Sequence, residues 1–218
     1  METTTIDPRI ASMLIQSRQT VLDILEERGY DPLPYRNIAP DQIITLVNAG
    51  APGALDMILK KKPDSVAPCE RAAVLYTLQV RTLRHRMETF MADIYKEGVV
   101  TPADDTLVIL NEPWNEIFDK TSLQMWQKEK TRITFFHIKN VVVHSGRHIL
   151  VPPHRKLNAE EAKAEMARWS VTQKSQFPLI KHSDAQAKRL GLIPGDIVEI
   201  LRPSPTSGIA RVLRICAA

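Results

Sequence analysis

The chain has 218 residues, 44% of them hydrophobic and 25% charged, with a formal net charge of +4. That is enough apolar material for one large or two modest cored domains, and disorder is not the default for such a chain. No apolar run has the length a membrane helix needs, the opening METTTIDPRI lacks the basic start and apolar core of a secretory leader, and two distant cysteines, Cys69 and Cys216, form neither a disulfide framework nor a metal cluster.

Charge is uneven along the chain. Residues 1–145 hold 17 Lys/Arg against 19 Asp/Glu, a net of −2, whereas residues 146–218 hold 12 against 6, a net of +6. A basic half fits nucleic acid, and it fits docking on an acidic protein surface equally well.

In chain order, Asp7-Pro8 is a helix start, cap then proline. Ile10, Leu14, Val21 and Leu25 form a helical stripe that Gly29 ends. Pro40 to Gly50 reads as a second helix and Pro52 to Lys60 as a short third. The basic run Lys60-Lys61-Lys62 suits phosphate contact or a solvated helix end. Ala72 to Val80 reads as a strand or a helix start. Leu83, Met87, Phe90, Met91 and Ile94 then follow helical spacing, as core residues. Thr106 to Leu110 reads as a strand, Trp114 to Lys128 as a loosely periodic helix and Ile133 to Val143 as a strand. Ser145-Gly146 marks the boundary between a first domain, 1–145, and a second, 146–218.

The second domain parses more fully. Ile149-Leu150-Val151 reads as a strand stopped by Pro152-Pro153. Asn158 caps a helix, with Glu161 positioned to close a capping box and Leu157 to pack on Ala162. Phe177 to Ile180 is extended. Ser183 or Asp184 caps a shorter helix closed by Gly191. Ile193-Pro194-Gly195-Asp196 has type II turn chemistry. Ile197 to Leu201 and Ile209 to Ile215 read as strands joined by Arg202 to Gly208, a connection too long for a tight hairpin and suited to presenting something.

Catalytic and cofactor chemistry is missing from the pattern. There is no phosphate-cradling glycine loop, no nucleophile elbow at Ser145 or Ser175, and no Asp-rich triad for catalytic magnesium. His144 and His148 have a spacing that chelates zinc on a helix, but they flank Ser145-Gly146 beside strands. No metal, no cofactor and no active site are expected. His137, His154 and His182 read as packing or surface residues.

The stretch from His148 to Ile215 resembles the assembly domain of the fifth common subunit of eukaryotic nuclear RNA polymerases, the homologue of the archaeal H subunit. The resemblance is carried in order by Leu150-Val151-Pro152 with His154, Glu160-Glu161, Pro178-Leu179-Ile180, Asp184, Gly191, Gly195-Asp196, Val198, Ile200, Arg202-Pro203-Ser204, Thr206, Gly208 and Arg214. One departure is Asp184-Ala185-Gln186-Ala187, where the family usually has Asp-Pro-Val-Ala; alanine still permits the helix start. Arg28-Gly29-Tyr30 is similar to the tripeptide that ends the family's first helix.

The resemblance implies an α/β (α+β) protein. Its first domain would be an α/β jaw and its second a small mixed-sheet assembly domain with two helices. It implies a non-catalytic subunit of a nuclear hetero-oligomer, partnered by the largest polymerase subunit, small common subunits and downstream duplex DNA, with no membrane. The residues implied at the subunit interface are His154, Arg155, Gly195, Asp196, Arg202, Pro203, Ser204, Thr206, Gly208 and Arg214. The candidates near DNA, read from the basic residues themselves, are Lys60, Lys61, Lys62, Arg81 and Arg84, with Arg86 on the same stretch, and a solvated helix face is the other reading of each. In the first domain the likeness is thin. The chain shows no clear room for the family's pair of strands before its long helix. The family's DNA-proximal turn reads Asn111-Glu112-Pro113-Trp114-Asn115-Glu116 here, and its two acids would repel phosphate. A stand-alone basic DNA-binding protein, a paralogue dedicated to one polymerase and a viral copy remain open as alternatives.

Overall fold

The computed structural model describes residues 8–49, 53–77, 83, 86–96, 98 and 100–218. The chain divides into two compact units, Met1–His144 and Ser145–Ala218, each with its own four-stranded sheet.

In the first unit, α1 (Pro8–Glu27) buries Leu14, Val21 and Leu25, with Ile10 partly buried against the same core. Gly29 stops it at φ +98°, where a Cβ would lie 1.8 Å from Ser65 Oγ, so glycine is required both by conformation and by space. Helices α2 (Leu33–Arg36) and α3 (Pro40–Asn48) follow. Strands β1 (Met57–Lys60) and β2 (Arg71–Thr77) pair antiparallel. Then come α4 (Met87–Lys96), β3 (Asp105–Leu110), α5 (Glu116–Glu129) and β4 (Arg132–His137). Strands β2, β3 and β4 are parallel, so α5 is a crossover between β3 and β4, and α4 lies in the longer connection between β2 and β3. Strand β3 is buried throughout. Its alternating side chains divide between two cores: Leu107 and Ile109 pack with α1, whereas Val108 and Leu110 pack with Met87 and Met91 of α4 and Phe118 of α5. A sheet covered on both faces demands such an uninterrupted apolar strand.

Several expectations need correction here. Pro52 to Lys60 is not a helix where it is described: Met57–Lys60 is a strand with Met57 and Leu59 buried and Lys60 exposed. Four residues are too few to separate a period of 2 from one of 3.6. With β2, this strand supplies the antiparallel pair before α4 for which the sequence showed no room. Ile133 to Val143 stays extended only to His137. A 3-10 turn, Ile138–Val141, follows, and the His137 Nδ1 accepts the Lys139 N–H at 3.1 Å to start it.

The second unit contains β5 (His154–Lys156), α6 (Ala159–Arg168), β6 (Leu179–Lys181), α7 (Ala185–Leu190), β7 (Ile197–Ser204) and β8 (Gly208–Ala217). The sheet order is β5-β7-β8-β6, with β6 parallel to β8 and the other pairs antiparallel. One core, on Ile197, Leu213 and Ile215, takes Ala162 of α6. The other, on Val198, Ile200 and Cys216, takes Ala187 of α7. Since Ile197 and Val198 are consecutive in one strand, the two helices cover opposite faces.

The caps follow the sequence closely. Asn158 Oδ1 accepts the Glu161 N–H at 2.8 Å while Glu161 Oε2 accepts the Asn158 N–H at 2.9 Å. Asp184, not Ser183, caps α7, accepting from Gln186 N–H at 2.8 Å. Gly191 closes that helix at φ +62°. Two expectations fail. Ile149-Leu150-Val151 is not a strand; pairing begins after the prolines, at His154. The β7–β8 connection is also short. β7 runs on to Ser204 and pairs it with Gly208, so only Pro205-Thr206-Ser207 form the loop.

Candidate docking surface

The β7–β8 hairpin outreaches its neighbours. β5 pairs with β7 only as far as Ile200, and β6 pairs with β8 only over Ile215, Cys216 and Ala217. The residues beyond, Leu201 to Ser204 and Gly208 onward, form a two-stranded projection. Its end is held by local hydroxyl chemistry. Ser204 Oγ lies 3.3 Å from Thr206 Oγ1 and accepts the Ser207 N–H at 3.3 Å, and Gly208 takes φ +68°. A three-residue loop closed by a left-handed residue is a standard hairpin solution, which accounts for the Ser-x-Thr-x-Gly spacing.

Alongside the projection runs the segment Ile149 to Pro153. Together with Leu201, Arg202, Pro203 and Ile209 it lines a groove of about 470 Å³. The apolar side chains here face water: Ile149 is 94% exposed, Leu150 82% and Ile209 68%. A contiguous patch of this kind marks an interaction surface more often than it marks chance.

Of the ten residues implied at an interface, Arg202, Pro203, Ser204, Thr206 and Gly208 lie on this projection. The other five serve the unit's own frame. His154 Nδ1 is 2.6 Å from the Pro152 carbonyl oxygen. Gly195, at φ +96°, donates its N–H to Cys216 O at 2.9 Å. Asp196 Oδ2 accepts from Lys156 Nζ at 2.6 Å and from the Ile193 N–H at 2.9 Å. Arg214 donates to Leu179 O at 2.9 Å. Arg155 bridges Glu161 at 2.6 Å and Glu199 at 3.0 Å. Sequence reasoning missed Ile149, Leu150, Leu201 and Ile209 as surface residues. The signal was an apolar tripeptide followed by two prolines, which also describes an ordinary strand end.

Arg155 belongs to an ion network that joins α6 to the sheet beside their apolar contact. Arg211 bonds Glu165 at 2.8 Å and also Glu199, which is 8% exposed. Burial alone would push the Glu199 carboxyl up, but hydrogen bonds from Arg211 and Arg155 outweigh it and hold the group below the usual carboxylate range. Glu161 is lowered chiefly by its bond from Arg155, and Glu165 by its bond from Arg211.

Among the described residues of the candidates near DNA, Lys61 and Lys62 are matched to carboxylates. Lys61 Nζ is 3.6 Å from Glu70, and Lys62 Nζ is 3.0 Å from Glu26. Lys60 is exposed at the end of β1. Arg81 and Arg84 lie outside the described residues; Arg86 is described and exposed. At the turn before α5, Glu112 is buried, not presented to solvent, and Asn115 Oδ1 caps the helix by accepting the Ile117 N–H at 3.0 Å. Only Glu116 of the two acids is exposed, 3.4 Å from Lys120. His144 is buried, with Nε2 3.3 Å from Glu27 Oε1, and His148 Nδ1 accepts the Leu150 N–H at 3.2 Å. Among the described residues no three His, Cys, Asp or Glu side chains converge as metal ligands.

Comparison with known proteins falls mainly on the second unit. Residues 143–216 match the family model described as RNA polymerase Rpb5, C-terminal domain. The DNA-directed RNA polymerase subunit Rpo5 of Pyrococcus abyssi is 48% identical over 69 residues, 32% of this chain and 83% of that protein. Its counterpart in Thermococcus onnurineus is 51% identical over 61 residues, 28% of this chain and 73% of that protein. The Dictyostelium discoideum protein named DNA-directed RNA polymerases I, II, and III subunit rpabc1 is 26% identical over 204 residues, 93% of this chain and 96% of its own.

Proposed function

The chain belongs to the family of the fifth subunit of DNA-directed RNA polymerases, and on that premise we propose that it is a non-catalytic, positional subunit of such an enzyme. In this reading it acts in the nucleus as part of a hetero-oligomer. Its second unit is the assembly domain and docks on the largest polymerase subunit. Its first unit serves as part of the lower jaw beside downstream duplex.

The observation that carries the docking half is the groove of the second unit, an exposed aliphatic surface beside the hairpin residues Arg202 to Gly208. The jaw half draws on the near-complete alignment with the Dictyostelium protein. The first unit is expected to brace duplex more than grip it, since Lys61 and Lys62 are matched to carboxylates. Its contribution to the salt dependence of DNA binding is therefore expected to be small.

Co-purification tests the reading. The tagged full-length chain should bring down the largest polymerase subunit. Recovery of the chain alone, or with unrelated proteins, would reject it. A stand-alone DNA-binding role predicts instead tight, steeply salt-dependent binding of the free chain to duplex. The second unit's excess charge invites that role, but Arg155, Lys156 and Arg211 are already matched to carboxylates.

A further inference from the structure

How the groove is walled constrains what fills it, granted the reading above that the second unit docks on the polymerase. Along a strand, residues two apart send their N–H and C=O groups to the same edge. Leu201 donates its N–H to Pro153 O at 3.0 Å, on the edge that β5 occupies. The next residue on that edge is Pro203, which has no N–H to give. A partner strand continuing where β5 stops would find carbonyls but no donor. Proline on an exposed edge is a known block to strand addition.

The remaining chemistry of the groove is aliphatic, with one cation. Ile149, Leu150, Leu201 and Ile209 face it, Arg202 is exposed on its wall, and no carboxylate lines it. Nucleic acid needs a row of cations along its backbone and finds one. A second copy of this unit would bring its own net charge of +6 against the same sign. An acidic, aliphatic protein segment satisfies both walls.

We infer that the groove receives a short segment of another polymerase subunit through side chains alone. The segment seats aliphatic groups on Ile149, Leu150 and Ile209 and a carboxylate on Arg202, and it adds no strand along the β5 edge.

The test uses the full-length tagged chain expressed in cells. Leu150→Asp and Ile209→Asp place charges at exposed sites, so thermal midpoints should not move. Polymerase recovered with either variant should fall about tenfold or more, the scale of a lost interface anchor. Arg202→Glu should reduce recovery less. Independently of any variant's folding, a photo-crosslinking amino acid at position 209 should capture a polymerase subunit, at a peptide that is aliphatic and acidic. Crosslinks to DNA or to a second copy of the chain, or undiminished recovery with both Asp variants, overturn the inference. Failure of the native chain to recover polymerase would instead sink the docking reading itself.

Discussion

The two units solve one problem, closing a four-stranded sheet, by different means. The first covers both faces of a largely parallel sheet with apolar helices and buries an ion pair at the start of β3. There, the Arg28 guanidinium bonds both oxygens of Asp105, at 3.1 and 3.0 Å, with the Tyr30 hydroxyl 3.5 Å away. Both side chains of that pair are 3% exposed. The second unit is smaller and adds an ion network to its apolar core. Glu161 and Glu165 on α6 meet Arg155, Glu199 and Arg211 on the sheet. It also leaves aliphatic surface uncovered at one end. A small unit has less surface to bury, and ionic contacts at its periphery hold a helix without needing depth. The comparison teaches that the second unit's exposed apolar groups are not left over from poor packing, since its interior on both faces of the sheet is fully formed.

The comparison can be broken at its strongest point. Asp105→Ala removes the carboxylate that Arg28 bonds through both oxygens, and breaking one side of such a buried pair costs on the order of 3–5 kcal/mol. Urea unfolding followed by a first-unit probe such as Trp126 should report that loss. A loss under 1 kcal/mol would mean that water reaches the pair.

Glu199→Gln should cost less, about 1–3 kcal/mol, because it leaves two arginines that are partly solvated. Chemical unfolding read from Trp169 isolates the second unit, and an unchanged midpoint would remove the network from any account of stability.

Gly195→Ala comes next. Nothing lies within 4 Å of a Cβ built there, so only the φ of +96° opposes it, a strain of about 1–3 kcal/mol. If the variant is as stable as the native chain, the turn relaxes without loss.

The pH response should be the mildest. The folded Glu161, Glu165 and Glu199 carboxyls lie below their ordinary values. Their contribution is therefore complete above the unfolded carboxylate pKa of about 4.3 and is lost as pH falls through the lower folded values. A thermal midpoint for the second unit that declines only in that acidic range is expected. One that declines between pH 8 and 6 would point to histidine instead.

Much of the second unit was legible before its structure. Asn158, Glu161, Asp184, Gly191 and Gly195 act within two or three residues of themselves, so caps and turns could be read directly. The ordered features from Leu150 to Arg214 also pointed to the family. The first unit was harder. Its helices α1 and α4 announced themselves by spacing, but β1 is four residues long and carries no resolvable period. The site was only half visible. The hairpin end could be picked out by its prolines and hydroxyls, while Ile149 and Leu150 looked like strand residues.

Local chemistry in this sequence determined the helix starts and stops and the turn at Gly195, because those depend on neighbours along the chain. Tertiary structure alone decided that Ile149 and Leu150 are surface and that Arg28 and Asp105 meet in the interior. It also decided that Glu112 turns inward and that Pro203 ends an edge. Each of those depends on which strands stop short beside it, and strand length is set by partners far away in sequence.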